Sequence, residues 1–189
     1  MSPTILYTVH DATRPLNFGP IPTSIAHVCN NLGQWGSGFV LAINKAFGLG
    51  PRESYRAYIK LCKENGHFPL GDIDEYQVSP NTLILNMIAQ DNKREAPPYI
   101  DYNALYDCMR NIEIPIIQIP AIGIGIGRGE WKEVSKAIRR GFPRYGCVVV
   151  CCLDWKTVAK LKEEDEGYPS QQSDNWKDFL WHYNLGLPL

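Results

Sequence analysis

The apolar positions follow two rhythms that take turns along the chain. Runs dense in β-branched and aromatic residues, TILYTV (4–9) and SIAHVCN (24–30), predict strands. Between 38 and 48 the rhythm changes. Phe39, Val40, Ile43, Ala46 and Phe47 recur at helical spacing, and a glycine closes the run. Pro51 opens a second helix over 51–66, with the proline in its first turn and Gly66 as its stop. DIDEYQV and TLILNMIA predict two strands joined by a Ser-Pro-Asn turn. A helix over 101–112, a short strand from IPIIQIPAIG, a helix from EWKEVSKAIRRGF and the wholly apolar strand GCVVVCCL complete the series. A strand as apolar as the last belongs inside a sheet covered on both faces. Strands alternating with helices predict a central sheet between helical layers. Ligands of such folds bind beyond the carboxyl ends of the strands.

After Leu153 the character changes. DWKTVAKLKEEDEG predicts a charged helix, YPSQQSDN a linker, and WKDFLWHYNLGLPL a tail with Trp176, Phe179, Leu180 and Tyr183 at helical spacing. The expected division is a domain over 1–153 and a C-terminal helical extension over 154–189. Two expectations attach to that extension: a tail packed back on the domain, or a surface for a homodimer or another partner.

Composition narrows the function classes. The 189 residues, 44% hydrophobic and 21% charged, can build one sizeable core. A net charge of -1 without a basic stripe argues against nucleic-acid binding. No apolar run reaches the roughly 18 residues of a membrane span, and the first residues lack a signal-peptide pattern. A cytoplasmic location without membrane attachment is the expectation. The six cysteines show no CxxC pair and no Cys/His quartet at zinc spacing. They are expected to be reduced, structural thiols, with no metal and no cofactor.

Two glycine-rich loops carry the candidate chemistry. NNLGQWGSGF leaves a strand and feeds a helix start, where backbone amides can reach a ligand and negative charge is favoured. Asn30 and Asn31 are placed to hydrogen-bond sugar hydroxyls, and Trp35 to cover a ring or sugar face. An ordinary tight turn is the plain alternative. PAIGIGIGRGEW also follows a strand and precedes a helix. Its glycines can point amides at phosphate oxygens while Ile124 and Ile126 cover an apolar ligand face. It lacks the acidic residue about 20 positions on that a dinucleotide fingerprint needs, and the Gly-Lys-Ser/Thr ending of a P-loop. Two such loops at two strand ends suggest one diphosphate held from both sides.

HVCNNLGQWGSGFVLAINKAFG, LGDI, LILNMIAQ and IPAIGIGIGRGEWKEV, in this order, resemble successive blocks of the macro domain family. The resemblance runs from about residue 5 to 153 and is strongest in CNNLGQWGSGF. It implies a three-layer α/β/α sandwich with a mixed central sheet and a cleft for ADP-ribose or a derivative. It places Asp11 at the adenine amino group, with Ala12 adding a backbone contact, and Leu153 against the adenine ring. It places Asn30 at the distal ribose, and Gly36, Ser37, Gly38 and Phe39 around that ribose or its 1''-substituent. It places Gly123, Ile124, Gly125, Ile126 and Gly127 at the diphosphate. Plain readings stand beside these: Asp11 as a turn cap, Leu153 as core, His27 as a buried, hydrogen-bonded histidine.

Within the family the chain is most similar to the branch of ADP-ribose-1''-phosphate phosphatases and ADP-ribosyl-glutamate hydrolases. The hydrolases' lysine and aspartate positions are occupied by Gln90 and Gly127. The phosphatase-type relatives resemble the chain better around HVCN, where they also carry a histidine before the asparagine, so hydrolysis of a 1''-phosphate by water attack is the first expectation. His27 would move protons and Asn30 would orient the ribose as catalytic residues. Cys29 beside them is expected to be buried rather than nucleophilic. The alternatives are an ADP-ribose reader without chemistry, and an ADP-ribosyl hydrolase acting on modified macromolecules.

Overall fold

A computed structural model describes residues 3–18 and 21–169 of the chain. Strand β1 (Thr4–Val9) leads to β2 (Thr23–Asn30), followed by helices α1 (Phe39–Phe47) and α2 (Gly50–Glu64). The hairpin β3 (Ile73–Ser79) and β4 (Thr82–Gln90) comes next, then α3 (Tyr102–Arg110) and β5 (Ile116–Pro120). The described chain ends with α4 (Trp131–Gly141), β6 (Cys147–Cys152) and α5 (Trp155–Glu164). Every element predicted within this region is present, with ends displaced by a few residues.

The strands form one six-stranded sheet in the order β1-β6-β5-β2-β4-β3. Only β3, at the edge, runs antiparallel to its neighbour. The other pairings are parallel, so β1, β6, β5, β2 and β4 all finish along one rim. Side-chain alternation explains the layers. In β6, Val148 and Val150 face one helical layer while Cys147, Val149 and Cys151 face the other way. Helices α3, α4 and α5 cover the first face, packing Leu105, Trp131, Ile138 and Val158 into one core. Helices α1 and α2 cover the other through Ile43, Tyr55 and Ile59. The result is the expected three-layer α/β fold with a mixed sheet.

Caps and a buried ion pair fix the ends. Asp101 accepts from the amides of Asn103 and Ala104 at the start of α3, and Asp154 from Thr157 at the start of α5. Just past α5, Asp165 is buried against Arg139 at 2.5 Å and accepts from the Tyr7 hydroxyl at 2.8 Å. Tyr7 in turn accepts from Trp131 Nε1 at 3.0 Å. Burial first, and the charge of Asp165 second, push the Tyr7 hydroxyl far above its ordinary range. The segment after Leu153 is thus tied to β1 and α4 as far as it is described. The tail pattern of Trp176, Phe179, Leu180 and Tyr183 lies outside the described residues. All six cysteines are buried and no disulfide joins them. No helix among the described residues is long and apolar enough to cross a membrane.

Candidate functional site

The rim where β5, β2 and β4 end carries a cleft of about 250 Å³ between the two glycine loops. The first loop is closed by side chains. Asn30 Oδ1 accepts from the amides of Leu32 (2.9 Å) and Gln34 (3.1 Å), and its Nδ2 donates to Gln34 O at 2.7 Å. The Tyr55 hydroxyl, from α2, donates to Asn30 O and accepts from the Gly33 amide at 3.2 Å. Asn31 ties the loop to the end of β4: its Nδ2 donates to Asp91 Oδ1 at 2.6 Å, and its Oδ1 accepts from the Asn92 amide at 3.1 Å. Asn30 therefore borders the cleft with its amide engaged in shaping the loop, and Asn31 is buried.

Trp35 departs from the role expected for it. Its indole is only 5% exposed and does not line the cleft. It donates to Asn44 Oδ1 at 3.0 Å and packs edge-on to His27 with ring centres 5.5 Å apart. The indole is the largest apolar group in this loop, so the fold uses it as a floor under the cleft.

Gly36, Ser37 and Gly38 do line the cleft and are exposed. Gly38 stands at the N-cap of α1 with φ 78°, and no side chain caps the helix there. The Leu41 amide donates to Gly38 O at 3.1 Å, and no side chain caps the amides before it at the positive end of the helix dipole.

The second loop is closed by its own backbone. The amides of Gly129 and Arg128 donate to Gly123 O (2.9 Å) and Gly125 O (3.0 Å). Gly127 O accepts from the amides of Tyr99 and Ile100 at 2.8 and 3.1 Å. A Cβ on Gly127 would lie 2.6 Å from Gly123 O, so this turn admits no side chain there. Gly123, Gly125, Ile126 and Gly127 border the cleft. Ile124 does not: it is half-buried against the large core, because the turn alternates its two isoleucines between the interior and the opening. The loops meet directly, since a Cβ on Gly38 would come within 2.9 Å of Ile126 Cδ1.

His27 lies at the bottom of this meeting point, where it borders the cleft together with Cys29 although it is only 1% exposed. Its Nε2 is 2.7 Å from Asn86 Oδ1. Asn86 Nδ2 donates to Asp74 Oδ2 at 2.8 Å, so Asn86 Oδ1 is an acceptor and His27 Nε2 carries the proton. Nδ1 faces Cys29 Sγ at 3.7 Å. Burial pushes the imidazole down to about 4, against the opposing effect of the Asn86 bond. Near neutral pH it is an uncharged donor inside a buried chain. That geometry gives His27 a structural hydrogen bond at the cleft floor. Burial first, and Asp74 second, hold the Cys29 thiol well above its ordinary value.

The expected adenine residues sit further along the same rim. His10 N donates to Cys152 O at 2.9 Å, which brings the ends of β1 and β6 together. Asp11 is exposed, and its Oδ1 accepts from the Thr13 amide (2.9 Å) and hydroxyl (2.8 Å). Those bonds lower its carboxyl below the usual value, the backbone one first. Ala12 is buried, with its carbonyl accepting from Gln118 Nε2 at 2.8 Å. Leu153 is 83% exposed rather than core, and Trp155 is exposed two residues on. None of Asp11, Ala12 and Leu153 borders the 250 Å³ cleft. Phe39 links the two places, bordering the cleft while packing toward the cluster that includes Ala12.

One wall was not anticipated. Gln90 Nε2 donates to Asn92 Oδ1 at 2.6 Å, and Asn92 Nδ2 to Gln34 Oε1 at 2.7 Å, so three neutral amides stand in series along the cleft. Only a pairing of loop 30–34 with the end of β4 brings them together, and no local pattern announces that. Among the described residues, no aspartate, glutamate, lysine or arginine lines the cleft.

No family model and no curated protein matches the chain. Solved structures do. A Bacteroides thetaiotaomicron protein of unknown function is 31% identical, over 80% of this chain and 99% of that one, with a TM-score of 0.69. A macrodomain protein from Streptomyces coelicolor is 32% identical, over 77% of this chain and 97% of that one, with a TM-score of 0.60. An Oceanobacillus iheyensis macrodomain variant with ADPR is 17% identical over 86% and 92% of the two chains, with a TM-score of 0.61, a likeness of fold alone. Identity at this level over nearly the whole of the Streptomyces protein, together with the sheet order and the paired glycine loops, shows that this chain belongs to the macrodomain family.

Proposed function

We propose that the cleft binds ADP-ribose or a derivative, with the diphosphate between the two glycine loops and the adenine toward Asp11, Leu153 and the exposed Trp155. One observation carries this: the loops converge at Gly38 and Ile126 over the uncapped first turn of α1. Main-chain amides and a helix N-terminus suit a diphosphate without any cationic side chain. Oceanobacillus iheyensis macrodomain structures of similar fold with ADPR and with ADP support the choice of ligand.

Binding without turnover suits this cleft better than 1''-phosphate hydrolysis. Phosphate-monoester hydrolysis is among the slowest uncatalysed reactions, and a proton carrier has to lie within hydrogen-bond reach of the reacting atoms. His27 borders the cleft only at its floor, 1% exposed with its Nε2 taken by Asn86 and its imidazole pushed down to about 4 by burial, while Gln90 and Gly127 bring no titratable group. The neutral amides of Gln34, Gln90 and Asn92 are suited to hydroxyl or amide groups on the distal ribose.

Calorimetry with ADP-ribose tests the binding. One site per chain is expected, weakened at least about tenfold by Gly38→Val, whose side chain meets Ile126. Absence of heat with ADP-ribose would remove the proposal. A free-phosphate assay with ADP-ribose-1''-phosphate tests the absence of chemistry. Catalytic phosphate release that survives in His27→Gln would require a reacting group outside this account, and release lost in that variant would restore His27 to the mechanism.

A further inference from the structure

On the sheet edge formed by β3, three side chains of different donor type converge. Cys62 lies in the last turn of α2, His67 in the connection that follows, and Asp72 immediately before β3. One sulfur, one imidazole nitrogen and one carboxylate oxygen from these residues all lie within 4.8 Å of one another. Zinc bonds of about 2.0–2.3 Å set tetrahedral ligand atoms about 3.3–3.7 Å apart, so small side-chain rotations close the set.

We propose that Cys62, His67 and Asp72 bind a zinc ion, with water in a fourth, solvent-facing position. The ligand spacing is C-x4-H-x4-D, which the search for CxxC pairs and Cys/His quartets passes over.

Charge and softness select the metal. A thiolate and a carboxylate together neutralise a divalent cation, and a thiolate beside an imidazole favours zinc over magnesium or calcium. The scaffold is held independently of any ion. The His67 amide donates to Cys62 O at 2.8 Å, joining two of the ligand residues through the backbone. The Asp72 amide donates to Pro69 O at 3.1 Å, and Asp72 O accepts from the Ile88 amide at 2.9 Å. Tyr58, one turn before Cys62, donates its hydroxyl to Asp72 Oδ2 at 2.8 Å. A hydrogen bond of that kind orients a metal-binding carboxylate. His67 Nε2 lies 2.5 Å from the same Oδ2. An isolated His–Asp ion pair accounts for that distance, but not for a thiol within reach of both groups. Cys62 is buried while the His67 side chain is 52% exposed, so the ion has a protected side and an entry path. The zinc would clip the end of α2 to the start of the edge strand.

The test is metal binding by the whole chain, independent of any ADP-ribose ligand. Chelator-stripped protein should take up one zinc per chain, and Co²⁺ in its place should show thiolate-to-metal charge-transfer absorption. Cys62→Ser should abolish that absorption. His67→Ala, at a half-exposed position that leaves the core intact, should weaken zinc at least about tenfold. Added zinc should raise the unfolding temperature of the wild type by mass action, and that of His67→Ala much less. Three results would overturn the site: no stoichiometric zinc in the wild type, equal affinity in His67→Ala, or charge-transfer absorption persisting in Cys62→Ser.

Discussion

The two glycine loops face the same cleft but are built by different means. The first is held by side chains: Asn30, Asn31 and Trp35 turn inward and bond to Gln34, Asp91 and Asn44. The second is held by its own carbonyls, Gly123 O, Gly125 O and Gly127 O. A loop of the first kind turns Asn31 and Trp35 inward and leaves Gly36, Ser37 and Gly38 at the opening, beside the Gln34 amide. A loop of the second kind needs glycine where backbone approaches backbone, and it can release one side chain, Ile126, over the opening. Polar and aromatic residues in a ligand loop can therefore be scaffold while its glycines form the surface.

Truncating the scaffold should break that contrast most strongly. Trp35→Ala removes a buried indole from under the first loop, and a loss of about 3–5 kcal/mol in urea unfolding is expected. An effect below about 1 kcal/mol would mean that the ring is no floor. In the second loop no side chain has a comparable part, and the sensitive position is a glycine. Gly127→Ala should cost about 2–3 kcal/mol, because its Cβ meets the carbonyl of Gly123, and should weaken ADP-ribose as the turn shifts. Neutral behaviour of that variant would show that the turn adapts.

The buried histidine sharpens the comparison through pH. An imidazole held down to about 4 in the fold takes up a proton near 6.5 in the unfolded chain. The unfolded state therefore binds more protons between these values, and stability should fall as the pH drops from 6.5 toward 4. Across that whole window the loss approaches about 3 kcal/mol. Denaturant unfolding at stepped pH measures it, and His27→Gln should flatten the dependence. The smallest effect belongs to the adenine end. Asp11→Ala leaves the core untouched and should weaken ADP-ribose by about 1–2 kcal/mol in calorimetry, with unfolding unchanged.

Much of this was legible in the chain. Apolar runs such as CVVVCC, and helices bounded by proline and glycine, mark themselves by local period, and the glycine loops by composition. What stayed hidden depends on distant partners. Asn30 reads as a sugar ligand, and only the fold adds Gln34 and Tyr55 as its partners. That the Nε2 of His27 is bonded to Asn86, 59 residues away, is not visible in the local sequence. Ile124 and Ile126 are alike in sequence, and only the turn decides which faces inward. Leu153 closes an apolar run, yet it lies beyond the last strand pairing and stands in solvent. The amides of Gln90, Asn92 and Gln34 become one wall only when β2 pairs with β4.

The convergence of both loops on one ligand can be followed directly by backbone amide resonances during an ADP-ribose titration. The account predicts that the amides of Gly36, Gly38, Gly123, Gly125 and Gly127 shift together along one saturation curve, while that of Gly66, far outside the cleft, stays still. Shifts confined to one loop, or absent from both, would contradict it.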